Sequence, residues 1–78
     1  MKTTNYFDLT RRREDRRAIL DEWICQAVTH PTGEQVQADG RIRRWALIEA
    51  ADNRYLRVML LPDGETVHNA LFDRRFKP

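Results

Sequence analysis

Three short turn signals divide the second half of the chain into four strand-like runs. Asp39-Gly40, Ala51-Asp52-Asn53 and Pro62-Asp63-Gly64 carry residue types that favour a tight reversal of the backbone. Between them, apolar and polar side chains alternate, as is typical of strands with one buried face. Because consecutive strands joined by short turns pair antiparallel, the sequence predicts a four-stranded antiparallel meander. The predicted strands are residues 34–38, 41–50, 54–61 and 65–72.

The preceding part of the chain predicts helix. Residues 10–29 contain no glycine or proline, and Pro31 and Gly33 then mark the end of the helical run. Its second half is amphipathic, because apolar side chains recur there at helical spacing. The apolar positions are Leu20, Ile24, Ala27 and Val28, with Ile19 and Trp23 beside them.

The helical part can be divided in two ways. Residues 11–17 have no apolar face, so they either extend the helix into solvent or form a separate turn before Asp21 caps a shorter helix. We favour two helical pieces with a break near residues 18–20. Residues 1–9 are predicted to form an arm or a short edge strand. The expected fold is a single α+β domain over residues 1–78, with one or two N-terminal helices packed on one face of the sheet.

Cysteine content and hydropathy indicate the compartment. Cys25 is the only cysteine in the 78-residue chain, which excludes an internal disulfide and a cysteine-based zinc site. No apolar run approaches the roughly 18 residues needed to cross a bilayer, and no charged segment followed by an apolar one resembles a leader. We therefore expect a cytoplasmic protein that contacts no membrane and needs no cofactor or metal ion.

The basic residues are almost all arginine. The chain has 14 Lys and Arg against 12 Asp and Glu, and Lys2 and Lys77 are the only lysines. The planar guanidinium group fits phosphate well, which favours an anionic partner such as nucleic acid. Free use of arginine codons explains the same composition. The run at residues 11–17 is either a solvated face, in which Glu14 and Asp15 pair with arginines at helical spacing, or a patch that binds phosphates.

The register of the last two strands decides where His68 points. With a two-residue turn, Met59 faces His68, and the imidazole shares a face with Tyr55 and Arg57. With one bulged residue, Val58 faces His68, and the histidine joins the core side. The sequence leaves both registers open.

Two segments resemble a group of small bacterial proteins. VQADGRIRRWALI and RYLRVMLLPDGETVHNALFDRRF, within residues 20–76, follow that group's pattern of Gln-x-Asp-Gly-Arg-Ile-Arg, then Tyr-Leu-Arg-Val, then Asp-Gly-Glu-Thr-Val-His-Asn-Ala-Phe. The group is similar in layout to the RelE-like and BrnT-like toxins, in which helices lead into an antiparallel sheet. This resemblance implies a small ribonuclease or RNA-binding toxin that is held by an antitoxin protein.

His68, Arg57 and Tyr55 are the predicted catalytic group. Metal-independent RNA cleavage needs groups that accept and donate a proton, and cations that stabilise the negative transition state. Histidine in general exchanges protons near neutral pH, so His68 is the candidate acid or base. Arg57 would hold the scissile phosphate, and Tyr55 would stack an unpaired base. Further RNA contacts are predicted for Arg43, Trp45, Arg74 and Arg75.

Each of these residues also has a structural interpretation. His68 is alternatively hydrogen-bonded between strands, and Arg57 is alternatively paired with Glu49 on the neighbouring strand. Trp45 fits the edge of the core, and residues 73–75 fit a charged edge that deters strand addition. The favoured function is RNA binding with metal-independent endoribonuclease activity. The alternative is a non-catalytic protein-interaction module with an arginine-rich surface, which forms a homodimer through a sheet edge.

Overall fold

The computed structural model describes residues 1–13 and 16–78, so the predicted pairing of Glu14 and Asp15 lies outside the described residues. The four strands follow one another in the sheet, and each pairs antiparallel with the next. The predicted α+β class and antiparallel meander are therefore confirmed. The elements are α1 (Asn5–Thr10), α2 (Asp21–Thr29), β1 (Gly33–Val36), β2 (Ile42–Ile48), a 3-10 turn (Glu49–Ala51), β3 (Arg54–Leu60) and β4 (Val67–Phe72).

The first helix lies where the sequence predicted an arm or edge strand. Oγ1 of Thr4 accepts a hydrogen bond from the backbone N–H of Phe7 at 3.1 Å, which caps α1. Phe7 then points into the core. The edge-strand prediction holds only at Thr3, which forms an isolated parallel bridge with Val67. Because α1 buries just Phe7 and Thr10, its sequence lacks the repeated apolar spacing that predicts a helix.

The second helix is shorter than the predicted helical run. Residues 11–13 and 16–18 form turns, and α2 begins at Asp21. The predicted capping by Asp21 is wrong, because the N-cap position is Leu20, whose side chain makes no cap hydrogen bond. The Asp21 carboxylate instead accepts a hydrogen bond from Arg11. This contact ties the start of α2 to the turn that follows α1.

The hydrophobic core lies between the two helices and one face of the sheet. Helix α1 contacts β4, and α2 contacts β2 and β3. Because side chains alternate along a strand, the residues next to Ala46 on β2 and next to Leu56 and Val58 on β3 project from the opposite, outer face. The largest fully buried side chains are Phe7, Ile24, Ile48, Leu56, Val58, Leu60 and Val67. The outer face carries Arg43, Trp45, Tyr55, Arg57 and Met59.

The hairpin formed by β3 and β4 has neither of the two predicted registers. Met59 pairs with Asn69, and Leu60 pairs with Val67, so His68 is an extra residue between two paired positions. Val58 consequently lies opposite Ala70. A β-bulge of this kind bends its strand and redirects the side chains next to it. The bulge therefore moves Asn69, rather than His68, to the position opposite Met59.

Asp63 organises the loop between β3 and β4. Its Oδ1 atom accepts hydrogen bonds from the backbone N–H groups of Glu65 and Thr66 at 3.0 and 2.9 Å. Its Oδ2 atom accepts a hydrogen bond from the Thr66 hydroxyl. These bonds favour the ionised carboxylate and lower the pKa of Asp63 to about 2, the Thr66 hydroxyl having the largest effect.

We expect Asp63 to stabilise the fold except in strong acid. The pKa of Asp63 is about 2 in the folded chain, against an ordinary value of 3.8. Its contribution to the free energy of unfolding is therefore complete above pH 3.8 and is lost as the pH falls through about 2. The measurement is urea denaturation of the wild type and Asp63→Asn at about pH 6 and about pH 2. The variant should be less stable near neutral pH, and the difference should shrink in acid. A difference that is equal at both pH values would contradict this role.

Candidate nucleic-acid interface

Arg57 lies in the middle of the outer face. It is opposite Trp45 on one side and Leu71 on the other. Its Nη1 atom lies 3.7 Å from Oδ2 of Asp73, and both side chains are partly buried. The predicted alternative pairing with Glu49 is therefore wrong, because the carboxylate comes from the segment after β4. A cross-strand pairing argument could not find this partner.

One carboxylate and two further guanidinium groups of the described residues interact electrostatically with Arg57. Burial lowers the pKa of Arg57, the Asp73 carboxylate opposes this shift, and the positive charges of Arg43 and Arg16 add to it. Arginine nevertheless stays protonated at neutral pH. Three cations thus interact electrostatically at one place on the molecule. We call Arg16, Arg43 and Arg57 the arginine cluster.

Neighbouring amide groups hold the other two members of the cluster. Nη1 of Arg16 donates a hydrogen bond to Oδ1 of Asn69 at 2.7 Å. The amide of Gln37 faces Arg43, and in the orientation that satisfies both groups its oxygen accepts from Nη2 and Nε at 2.7 and 2.9 Å. A guanidinium group has about five N–H donors, so these neutral partners position the arginines without neutralising them.

Trp45 is covered by the C-terminal segment. It is only 7% exposed, and its ring stacks on Phe76 with centroids 4.6 Å apart and planes inclined by 13°. Its Nε1 atom donates a hydrogen bond to Oδ2 of Asp73 at 3.0 Å, and this bond is the largest cause of the lowered pKa of Asp73. Trp45 therefore occupies the edge-of-core position, and Phe76 covers the ring face that the predicted RNA contact of Trp45 would use.

Tyr55 and Arg74 meet in a groove beside this segment. The ring of Tyr55 contacts Phe76 edge to face, with centroids 5.0 Å apart. The groove has a volume of about 280 Å³. Arg74 and Arg75 are both exposed. We call this feature the C-terminal groove, and its lining residues are Asn53, Arg54, Tyr55, Phe72, Asp73, Arg74 and Phe76.

His68 lies apart from the other predicted catalytic residues. Its Nδ1 atom is 3.0 Å from Oγ1 of Thr4, and its ring stacks on Tyr6 with centroids 4.8 Å apart. Within the described residues, no hydrogen bond or ring contact joins it to Arg57 or Tyr55. The structure thus brings Arg57 and Tyr55 to one face with Arg43, and it places His68 against the N-terminal segment. The predicted bond between strands is replaced by the bond to Thr4.

Three residues of the candidate interface were not singled out by the sequence. Arg16 was predicted only as part of the arginine-rich run, and Arg54 and Phe76 were not predicted at all. Phe72 lies opposite Leu56, two residues from Arg54 on the same face, so the observed register makes Arg54 and Phe72 diagonal neighbours. The Arg54 guanidinium carbon lies 3.9 Å from the centroid of the Phe72 ring. No sequence pattern indicated that Phe76 folds back on Trp45.

Within residues 1–13 and 16–78, no group of three or more His, Cys, Asp or Glu side chains is arranged to hold a metal ion. No helix in those ranges has both the length and the apolar character needed to cross a bilayer.

The resemblance to the RelE-like and BrnT-like toxins stays a prediction. Comparison of the chain with protein-family models, with curated protein sequences and with solved structures finds no match.

Proposed function

We propose that the protein binds single-stranded RNA on the outer face of the sheet, with the arginine cluster holding phosphate groups. The main support is that Arg43 and Arg57 project from the same face, two positions apart, and that Arg16 lies close enough to interact with Arg57 electrostatically. Like charges held together in the free protein repel one another, and a bound polyanion relieves that repulsion.

The positions of the arginines suit an extended polyanion. Arg43 lies opposite Met59, two positions from Arg57 on the same face. Diagonal neighbours of this kind are about 7–8 Å apart, so the two guanidinium groups can contact different phosphates. Arginine forms paired hydrogen bonds with phosphate oxygens, which a lysine cannot form.

The catalytic part of the proposal assigns His68 as the general acid or base for metal-independent cleavage of the bound RNA. Thr4 engages its Nδ1 atom, whereas Nε2 makes no hydrogen bond within the described residues. His68 directly precedes Asn69, which holds Arg16. The imidazole is therefore one residue along the chain from a side chain that contacts the arginine cluster.

We expect Arg43→Ala to weaken RNA binding by about tenfold, because it loses a phosphate contact. One counterion fewer is then released on binding, so the slope of log K against log salt concentration becomes shallower by about 0.7 for a single strand. The measurement is fluorescence anisotropy with a labelled single-stranded RNA across a series of salt concentrations. Arg12→Ala is the control, since Arg12 is exposed in the turn after α1. Equal losses in both variants would contradict a specific role for the cluster. Binding of polyglutamate but not of RNA would favour the protein-interaction module.

Cleavage is expected to fall by about 100-fold or more in His68→Ala, since a positioned acid or base contributes at least that factor. The measurement is cleavage of the same RNA with a chelator present, together with growth of cells that express the protein. The wild type should arrest growth, and His68→Ala should relieve the arrest. His30→Ala is the control, because His30 follows α2 and contacts Thr29. If the wild type binds the RNA but leaves it intact, the catalytic part of the proposal is wrong and the RNA-binding part stands.

A further inference from the structure

The C-terminal groove combines aromatic and cationic groups. Its lining residues include Tyr55 and Phe76, whose rings contact each other edge to face, and the two arginines Arg54 and Arg74. Arg54 lies over the ring of Phe72, with 3.9 Å between its guanidinium carbon and the ring centroid. Aromatic rings beside cations are the combination that proteins use to hold unpaired bases and their phosphates.

The cations of the groove retain free donors. Nε of Arg54 donates a hydrogen bond to the carbonyl oxygen of Ala51 at 2.9 Å, which leaves the two terminal nitrogens of Arg54 available as donors. Arg74 is exposed and makes no hydrogen bond or ion pair with the described residues. The Asp73 carboxylate also lines the groove, but Trp45, Arg57 and the backbone N–H of Arg75 already occupy it. An anion entering the groove therefore meets cations with open hydrogen-bonding capacity.

We propose that this groove binds one unstacked base of a single-stranded RNA, with the adjoining phosphate toward Arg74. This inference rests on the proposed function, because the arginine cluster holds the strand that carries the base. The volume of about 280 Å³ is at the small end for a ligand site and suits one nucleotide. The groove thereby selects single strands, since bases in a duplex are stacked and cannot enter.

The groove and the arginine cluster lie side by side. Asp73 lines the groove, and its Oδ2 atom is 3.7 Å from Nη1 of Arg57. Tyr55 is two residues before Arg57 on β3, so both side chains project from the outer face. A single strand held at Arg57 can therefore place its next base beside Tyr55.

The experiment compares three probes of about 12 nucleotides, a length within the range of single-strand sites. They are a uridine RNA, a strand of the same length without bases, and a duplex that contains the uridine strand. We expect the wild type to bind the uridine strand about tenfold more tightly than the strand without bases, because stacking supplies that difference. It should bind the duplex more weakly than the uridine strand.

Tyr55→Leu is expected to abolish the preference for the strand with bases and to leave binding of the strand without bases unchanged. Tyr6→Leu is the matched control, because Tyr6 is exposed on α1 and contacts His68 rather than the groove. Equal affinity of the wild type for the two single strands would overturn the inference and leave RNA binding intact. Failure to bind either strand would overturn the proposed function itself.

A second measurement does not depend on how well a variant folds. The wild-type protein is irradiated with RNA that contains 4-thiouridine, and the crosslinked residues are identified by mass spectrometry. We expect crosslinks at Tyr55 or Phe76. Bound RNA that forms no crosslink to either groove residue would overturn the inference.

Discussion

Replacing Phe7 with alanine is expected to lower the free energy of unfolding by about 3–5 kcal/mol. The ring is 2% exposed and belongs to the core cluster, although its helix contains only six residues. Its removal leaves a cavity where α1 meets β4. A domain of this length has a total stability of about 4–12 kcal/mol, so the expected loss is a large share of it.

Leu9→Ala is the control for this prediction. Leu9 lies on the same helix but is 62% exposed, so its truncation should change stability by no more than about 0.5 kcal/mol. Urea denaturation followed by circular dichroism measures both variants. Equal effects at Phe7 and Leu9 would show that α1 does not dock as described. Because Thr4 and Tyr6 hold His68 from the same segment, Phe7→Ala should also shift the imidazole NMR signals.

The sheet could be predicted from the sequence more closely than the helices. Strand alternation and turn residues depend on local preferences, and they located β2, β3 and β4 within a few residues. The first helix could not be located in this way, because it owes its stability to the burial of Phe7 and to its cap at Thr4. A tertiary contact therefore contributes to the helical conformation of this segment together with the local cap.

The candidate site could be predicted only in part, for a similar reason. The period of two along β3 places Tyr55 and Arg57 on one face, which the sequence alone establishes. The position of His68 depends on a one-residue bulge, and no residue type near it required that bulge. The same limit applies to Asp73, which pairs with Arg57 only because the chain folds back after β4.

Gly33 explains why the C-terminal segment can fold back. A Cβ atom at this position would lie 2.7 Å from Cζ of Phe76 and 3.7 Å from the ring of Trp45. The first distance is shorter than van der Waals contact, so a side chain here would displace the phenyl ring. The absence of a side chain at the start of β1 thus permits the stacking of Phe76 on Trp45, and that stacking helps to shape the C-terminal groove.

Leu56→Ala is expected to destabilise the fold by about 2–5 kcal/mol, because it leaves a cavity in the centre of the core. Leu56 is 0% exposed and lies opposite Ala46 and Phe72 on the two neighbouring strands. A loss of this size lowers the melting temperature of a domain of 60–100 residues by about 4–8 °C for each kcal/mol. Thermal unfolding followed by circular dichroism therefore detects it easily.

Val36→Ala is the control for Leu56→Ala, because it shortens an aliphatic side chain that is 62% exposed on the edge strand β1. It should leave the melting temperature nearly unchanged, and a similar fall in both variants would contradict the assignment of the buried face. Leu56 lies between Tyr55 and Arg57, whose side chains project from the other face. At temperatures where Leu56→Ala is still folded, its affinity for RNA should therefore match that of the wild type. Weaker binding by the folded variant would mean that the buried face also shapes the proposed RNA-binding surface.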